Sequence, residues 1–269
     1  MSKSNDILLV GSGNMGLALV RGWVANGQDP KRIQVVDPSA DARDAAAGIG
    51  VAAVADVADA TLPAEVVLFA VKPQQLEKVL PAYCGLKDAN TVFLSIAAGK
   101  RLEFFEQALG RDASVVRAMP NTPAAIGQGM TVLVANAAAT DEQRELCESL
   151  MCAVGEVAWI DNEDLMDAVT AVSGSGPAYV FLLIECLADA AVSVGIDRQL
   201  ARRLAETTVA GAGAYAIATA EDARELRRRV TSPGGTTEAA LDLLISEDAL
   251  PALLRRAVLA ATARGRELA

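Results

Sequence analysis

Ile7-Leu8-Leu9-Val10-Gly11-Ser12-Gly13-Asn14-Met15-Gly16 decides how this chain folds. Four apolar, β-prone residues run into a G-x-G-x-x-G. Beyond it, up to Asn26, Leu17, Leu19, Val20, Trp23 and Val24 recur at helical spacing. The next apolar run, residues 33–37, ends on Asp37, close to the ~20 residues after the last glycine that a dinucleotide-binding strand–turn–helix–strand unit requires. Each glycine has its own physical reason. Gly11 permits the tight turn, Gly13 lets backbone approach a pyrophosphate, and Gly16 lets helix and strand pack closely. Free N–H groups of Asn14, Met15 and Gly16 at the helix start then face the phosphates.

Outward from this unit the pattern repeats. Residues 66–71, 91–95, 115–117 and 131–134 read as further strands, most of them trailed by helical segments. Strands alternating with helices predict a parallel, doubly wound α/β sheet of Rossmann type. Past Trp159 the strand signal stops. Helical period runs through 179–194, 198–218, 237–245 and 249–268. The expected organisation is therefore a dinucleotide-binding domain over residues 1–160 and an all-α domain over 161–269. The helical segments are Ala-rich with apolar residues on more than one face, so they need covering on several sides, and a partner chain is expected.

Composition excludes whole reaction classes. The 269 residues include no histidine, which removes Ser-His-Asp and Cys-His nucleophile systems and mixed Cys/His zinc sites, so no metal is expected. Net charge is −10, divided evenly between the two halves, so nucleic acid is not an expected partner. Cys84, Cys147, Cys152 and Cys186 form no C-x-x-C pair and read as reduced core thiols of a cytoplasmic protein. The first apolar run is too short for a signal peptide. The uncharged stretch 168–184 is expected to be interrupted by Ser173-Gly174-Ser175-Gly176-Pro177 and to fall short of a membrane span.

Other loops follow strands of the sheet, where ligands bind in this architecture. Ala70-Val71-Lys72-Pro73 follows one strand, and Lys72 can reach cofactor phosphate or ribose. Met119-Pro120-Asn121-Thr122-Pro123 follows another, with Asn121 and Thr122 suited to a carboxamide. Asp37 can accept both ribose hydroxyls and would repel a 2′-phosphate, whereas Ser39 and Arg43 could hold that phosphate. The cofactor is expected to be NADH or NADPH. In the second half, Val230-Thr231-Ser232-Pro233-Gly234-Gly235-Thr236-Thr237 forbids regular structure and then opens an apolar helix. Exposed backbone N–H groups and hydroxyls at a positive helix end make a carboxylate receptor; simple N-capping by a threonine is the plainer alternative.

With these segments in order, together with Ser173-Gly174-Ser175-Gly176-Pro177-Ala178-Tyr179, the chain resembles the pyrroline-5-carboxylate reductases over almost its whole length. The resemblance implies reduction of 1-pyrroline-5-carboxylate to L-proline by NAD(P)H, the last step of proline biosynthesis. It implies a helical domain that interlocks with its twin in a homodimer, and in many members a decamer of five dimers. By matching positions, Ser232, Gly235, Thr236 and Thr237 should hold the substrate carboxylate. Thr237 should also place its hydroxyl near the ring nitrogen as the catalytic group. Asn121, Thr122 and Pro123 should border the nicotinamide.

A protonated imine is already electrophilic, so positioning can replace a titrating side chain. A 3-hydroxyacid dehydrogenase of similar architecture would instead need a base such as lysine from the helical half. All six lysines, from Lys3 to Lys100, lie in the first hundred residues. A non-catalytic nucleotide sensor would not need the Ser232–Thr237 loop.

Overall fold

The computed structural model describes residues 6–61, 63–246 and 249–268. The chain divides into two compact units. One runs up to Gly174 and takes back the segment from Thr262; the other is Ser175–Ala261.

The first unit is built on an eight-stranded sheet: β1 (Ile7–Val10), β2 (Ile33–Val36), β3 (Ala52–Val54), β4 (Val66–Phe69), β5 (Val92–Ser95), β6 (Ser114–Met119), β7 (Gly129–Ala135) and β8 (Gly155–Trp159), in the order β3-β2-β1-β4-β5-β6-β7-β8. Its helices are α1 (Asn14–Ala25), α2 (Ala40–Ala47), α3 (Pro73–Val79), α4 (Leu102–Leu109), α5 (Asp141–Cys152) and the single turn α6 (Met166–Val169). Strand order reverses beside β1, so the loops after β1, β2 and β4 open at the switch point where this architecture binds ligands.

Side chains alternate across the strands and feed two cores. Ile7, Leu9, Val66 and Leu68 join Trp23 on one face, and Leu8, Val10, Val67 and Phe69 join Phe93 and Phe105 on the other. Sheets buried on both faces read as continuous apolar runs, as β1 and β4 do. Trp23 is fully buried, and its indole N–H donates to the Leu150 carbonyl at 2.9 Å, tying α1 to α5. Phe69 stacks on Phe93 and meets Tyr83 edge-on with ring centroids 5.3 Å apart.

The sheet departs from the expected all-parallel form at one step: β6 and β7 pair antiparallel. The connection, residues 120–128, is too short for a crossover helix, so the chain must turn back on itself. The short strands β3 and β8 were not expected from sequence. Both are edge strands, and neither contains a fully buried residue to give an apolar run.

The expected boundary at residue 160 coincides with the end of β8, yet the first unit continues to Gly174. Met166 is buried in the sheet's second core, and Glu163 pairs with the buried Arg117 at 2.9 Å. These contacts hold the next turns against the sheet.

The expected interruption of the uncharged stretch is a π turn ending at Gly174 and a bend at Ser175, through which the helical run continues. Residues Glu163–Ser193 form one helical run of 31 residues whose most apolar 18-residue window has mean hydropathy 1.5, long and apolar enough by length and composition to cross a membrane. Thr170–Gly174 is a π turn that takes in Ser173 and Gly174, and Ser175 is the N-cap of the helix that follows. Pro177 falls in the first turn of the next helix, where its missing N–H leaves no broken bond.

The second unit holds α7 (Gly176–Ser193), α8 (Arg198–Thr219), α9 (Ala223–Arg229) and α10 (Thr236–Ile245), with most of α11 (Ala249–Leu268). Asp197 caps α8 by accepting from the Gln199 and Leu200 N–H groups. α7 and α8 pack together, with Ala201 and Ala205 buried. No residue of α7 is buried, and Phe181, Leu182, Leu183 and Leu187 are exposed, as are Leu253, Leu254 and Leu259 of α11. An apolar face of this extent marks an interaction surface.

All four cysteines are free thiols. Only Cys147 matches the expectation of a core thiol; Cys152 and Cys186 are exposed. Burial pushes the Cys147 thiol well above the ordinary thiol range.

Candidate functional site

The glycine loop shows why its residues are glycines. Gly11 has φ +92°, and a Cβ there would lie 2.8 Å from Val71 Cγ1. A Cβ on Gly16 would run into the Gly11 carbonyl oxygen. Gly13 has nothing within 4 Å of the Cβ position, so its backbone is open to a ligand. Gly13 is also the N-cap of α1, no side chain caps that end, and its first turn holds no acidic residue. The helix start is therefore positive and open to an anion.

Beside the loop lies a cavity of about 560 Å³. It brings together Gly11, Gly13, Asp37, Ser39 and the run from Ala70 to Lys72. Asn14, Met15 and Gly16 continue the loop into α1, and Pro73 opens α3 next to Lys72. The cavity also draws on Asp56, Val57, Lys78 and Tyr83, which sequence reasoning missed. Asp56 follows the unrecognised β3, and Lys78 lies on the α3 helix that the Lys72 loop opens; strand and helix periodicity carry no signal for either. The glycine cradle, the uncapped helix end and the cavity fit a dinucleotide.

Asp37 is held firmly. Its Oδ2 accepts from the Ser12 N–H at 2.7 Å and the Ser12 hydroxyl at 3.2 Å, and its Oδ1 accepts from the Ser39 N–H at 2.9 Å. Ser39 caps α2 through its hydroxyl. Arg43 Nη1 donates to the Asp37 and Pro38 carbonyls, both at 2.9 Å.

Asn121 and Thr122 do not line this cavity. Asn121 pins its own loop: Oδ1 accepts from the Met130 N–H at 2.9 Å, and Nδ2 donates to the Ser173 carbonyl in the π turn at 3.1 Å. Thr122 begins a 3₁₀ turn, Thr122–Ile126. Gly174 leaves room for Met119, whose methyl would sit 2.6 Å from an added Cβ. The Met119–Pro123 segment thus packs against Ser173 and Gly174 within the first unit.

In the second unit, Pro233-Gly234-Gly235 makes a turn in which Gly234 has φ +69°. Its N–H donates to Glu238 Oε2 at 2.6 Å, and the Gly235 N–H donates to the Ser232 carbonyl at 3.0 Å. Gly235 is the N-cap of α10, with no side-chain cap bond. Thr236 and Thr237 lie in the first turn of α10, not at its cap position, so the capping alternative does not describe this loop. Ser232 and Thr236 are exposed and Thr237 half-buried. A helix end without a side-chain cap, flanked by three hydroxyls, suits a small carboxylate.

Two family profiles match the chain. Residues 163–268 match one described as "Pyrroline-5-carboxylate reductase dimerisation", and residues 6–99 match one described as "NADP oxidoreductase coenzyme F420-dependent". A pyrroline-5-carboxylate reductase of Pseudomonas aeruginosa is 42% identical over 264 residues, covering 98% of this chain and 96% of that one. The solved structure of a pyrroline-5-carboxylate reductase from Coxiella burnetii superposes with a TM-score of 0.94 at 40% identity, covering 99% of both chains. That of the Plasmodium falciparum pyrroline carboxylate reductase with NADP bound gives 0.85 at 26% identity, covering 98% of both. With likeness of this degree across both halves, the chain belongs to the pyrroline-5-carboxylate reductase family.

Proposed function

We propose that this protein reduces 1-pyrroline-5-carboxylate to L-proline with NAD(P)H, the last step of proline biosynthesis. The observation that carries the reading is the Ser232–Thr237 turn at the uncapped start of α10, in a chain of this family. The bound cofactor supplies a hydride to the imine carbon. Gly11, Gly13 and the first turn of α1 from Asn14 to Gly16 hold its pyrophosphate, with Lys72 as a nearby cation. Asp37 and Ser39 meet the adenosine ribose. Ala70, Val71 and Pro73 shape the adjoining wall, and Asn121 and Thr122 border the nicotinamide.

Ser232, Gly235, Thr236 and Thr237 bind the substrate carboxylate through hydroxyls and backbone N–H groups. Glu238 keeps the turn in shape by accepting from Gly234. The Thr237 hydroxyl orients the ring nitrogen. The imine's positive charge is consumed on reduction, and solvent protonates the amine produced. The second unit contains no lysine or histidine to act as the base that a hydroxyacid dehydrogenase needs.

The apolar faces of α7 and α11 meet a second copy of the chain, giving a homodimer, and five such dimers form a decamer. The match of this region to a dimerisation family supports the dimer. Four free thiols and a nicotinamide cofactor suit the reducing cytoplasm. Incubating the protein with 1-pyrroline-5-carboxylate and NADH or NADPH and analysing the product for L-proline tests the activity. Sedimentation velocity reads the assembly.

A further inference from the structure

We propose that this chain selects NADH over NADPH through a carboxylate at Asp37 that cannot be moved aside. The inference rests on the dinucleotide reading of the cavity beside the glycine loop. In this architecture the acidic residue ending the second strand faces the ribose 2′ position, where the two cofactors differ by one phosphate. A carboxylate that can rotate away would tolerate the phosphate; this one is fastened at both oxygens.

A carboxylate offers about four lone-pair directions. Three are engaged by the Ser12 N–H, the Ser12 hydroxyl and the Ser39 N–H. Ser12 is only 1% exposed, so turning Asp37 away would strip its buried N–H of an acceptor and leave its hydroxyl to the Ala42 carbonyl at 3.4 Å. The direction left on Oδ1 suits one ribose hydroxyl, whereas a phosphate there meets a fixed negative charge.

The groups that would welcome a phosphate are partly engaged. The Ser39 N–H donates to Asp37, the Ser39 hydroxyl accepts from the Ala42 N–H, and Arg43 Nη1 is turned back onto the Asp37 and Pro38 carbonyls. A second carboxylate, Asp56, lines the same cavity. Lys72 and Lys78 also line it and attract either anionic cofactor; the fixed charge at the end of β2 is that of Asp37.

Calorimetric titration of the full-length protein with NADH and with NADPH, without substrate, tests this. The expected result is NADH bound at least about tenfold more tightly, with a gap that narrows as KCl is raised, because salt screens a repulsion. Asp37→Asn keeps an acceptor for Ser12 and removes the charge; its NADH-to-NADPH affinity ratio should fall at least about fivefold. Should that variant fail to fold, the salt series on the native protein still decides. Equal or tighter NADPH binding, or a gap that widens with salt, would overturn the selection while leaving the dinucleotide site intact. Binding of neither cofactor would overturn the dinucleotide reading itself.

Discussion

Gly16 has no room for a methyl group, because the Gly11 carbonyl already occupies the space a Cβ would need. Gly16→Ala must push α1 off the loop, so nucleotide affinity should drop at least about tenfold in a fluorescence titration. Gly13→Ala meets no protein atom within 4 Å. It should leave thermal stability within about 0.5–1 kcal/mol of the native value while weakening nucleotide binding, since a methyl there faces the ligand. Thr237→Ala should lower kcat by about tenfold to a hundredfold, the scale of one hydrogen bond to a charged group, with NAD(P)H affinity unchanged. Thr237→Ser should restore most of the rate. An unaltered kcat in Thr237→Ala would remove that hydroxyl from the mechanism. The glycines and Asp37 were legible in the sequence because spacing alone specifies them. The duties of Asn121 were not: its amide spans from Met130 to Ser173, partners that no local pattern announces.

Among the elements, strands buried on both faces were the most readable, since β1 and β4 are unbroken apolar runs and β5 is apolar up to Ser95. The edge strands β3 and β8 lack that signature and are recognisable only by their neighbours in the sheet. The antiparallel step at β7 follows from connection length, which outranks the run of parallel units before it. Trp23 links α1 to α5 through one indole bond. Trp23→Phe should cost about 1–2 kcal/mol, by loss of that bond to a buried carbonyl, read as a shift in the urea midpoint. Where β1 begins, Arg32 donates to both oxygens of Asp6. That hydrogen bond, ahead of the Coulomb attraction, holds the Asp6 carboxyl below its ordinary value near 3.8. A depressed carboxyl contributes stability above the unfolded-state value and loses it as pH falls through the folded-state value. Asp6→Asn should therefore be less stable than the native protein at pH 7, and the two melting curves should converge as the pH drops below 3.8.

At the scale of the whole molecule, the helical half explains itself only as part of an assembly. Its apolar excess was readable from the sequence, and α7 carries it with no buried residue. Which chain covers it is not encoded in periodicity; the match to a dimerisation family supplies the partner. Phe181→Asp places a charge on the exposed face of α7, where Phe181 is 61% exposed. It should convert the sedimenting species to monomer or to aggregate, while an unchanged dimer would place the interface elsewhere. The missing histidines and the lysine-free second half fit a reaction that begins from an activated imine. The most direct test of that chemistry is a coupled readout: oxidation of NADH or NADPH followed at 340 nm on adding 1-pyrroline-5-carboxylate, with the product analysed for L-proline. The account predicts cofactor oxidation and L-proline appearing in equal amounts. Cofactor binding without any L-proline, or turnover of a 3-hydroxyacid in its place, would contradict it.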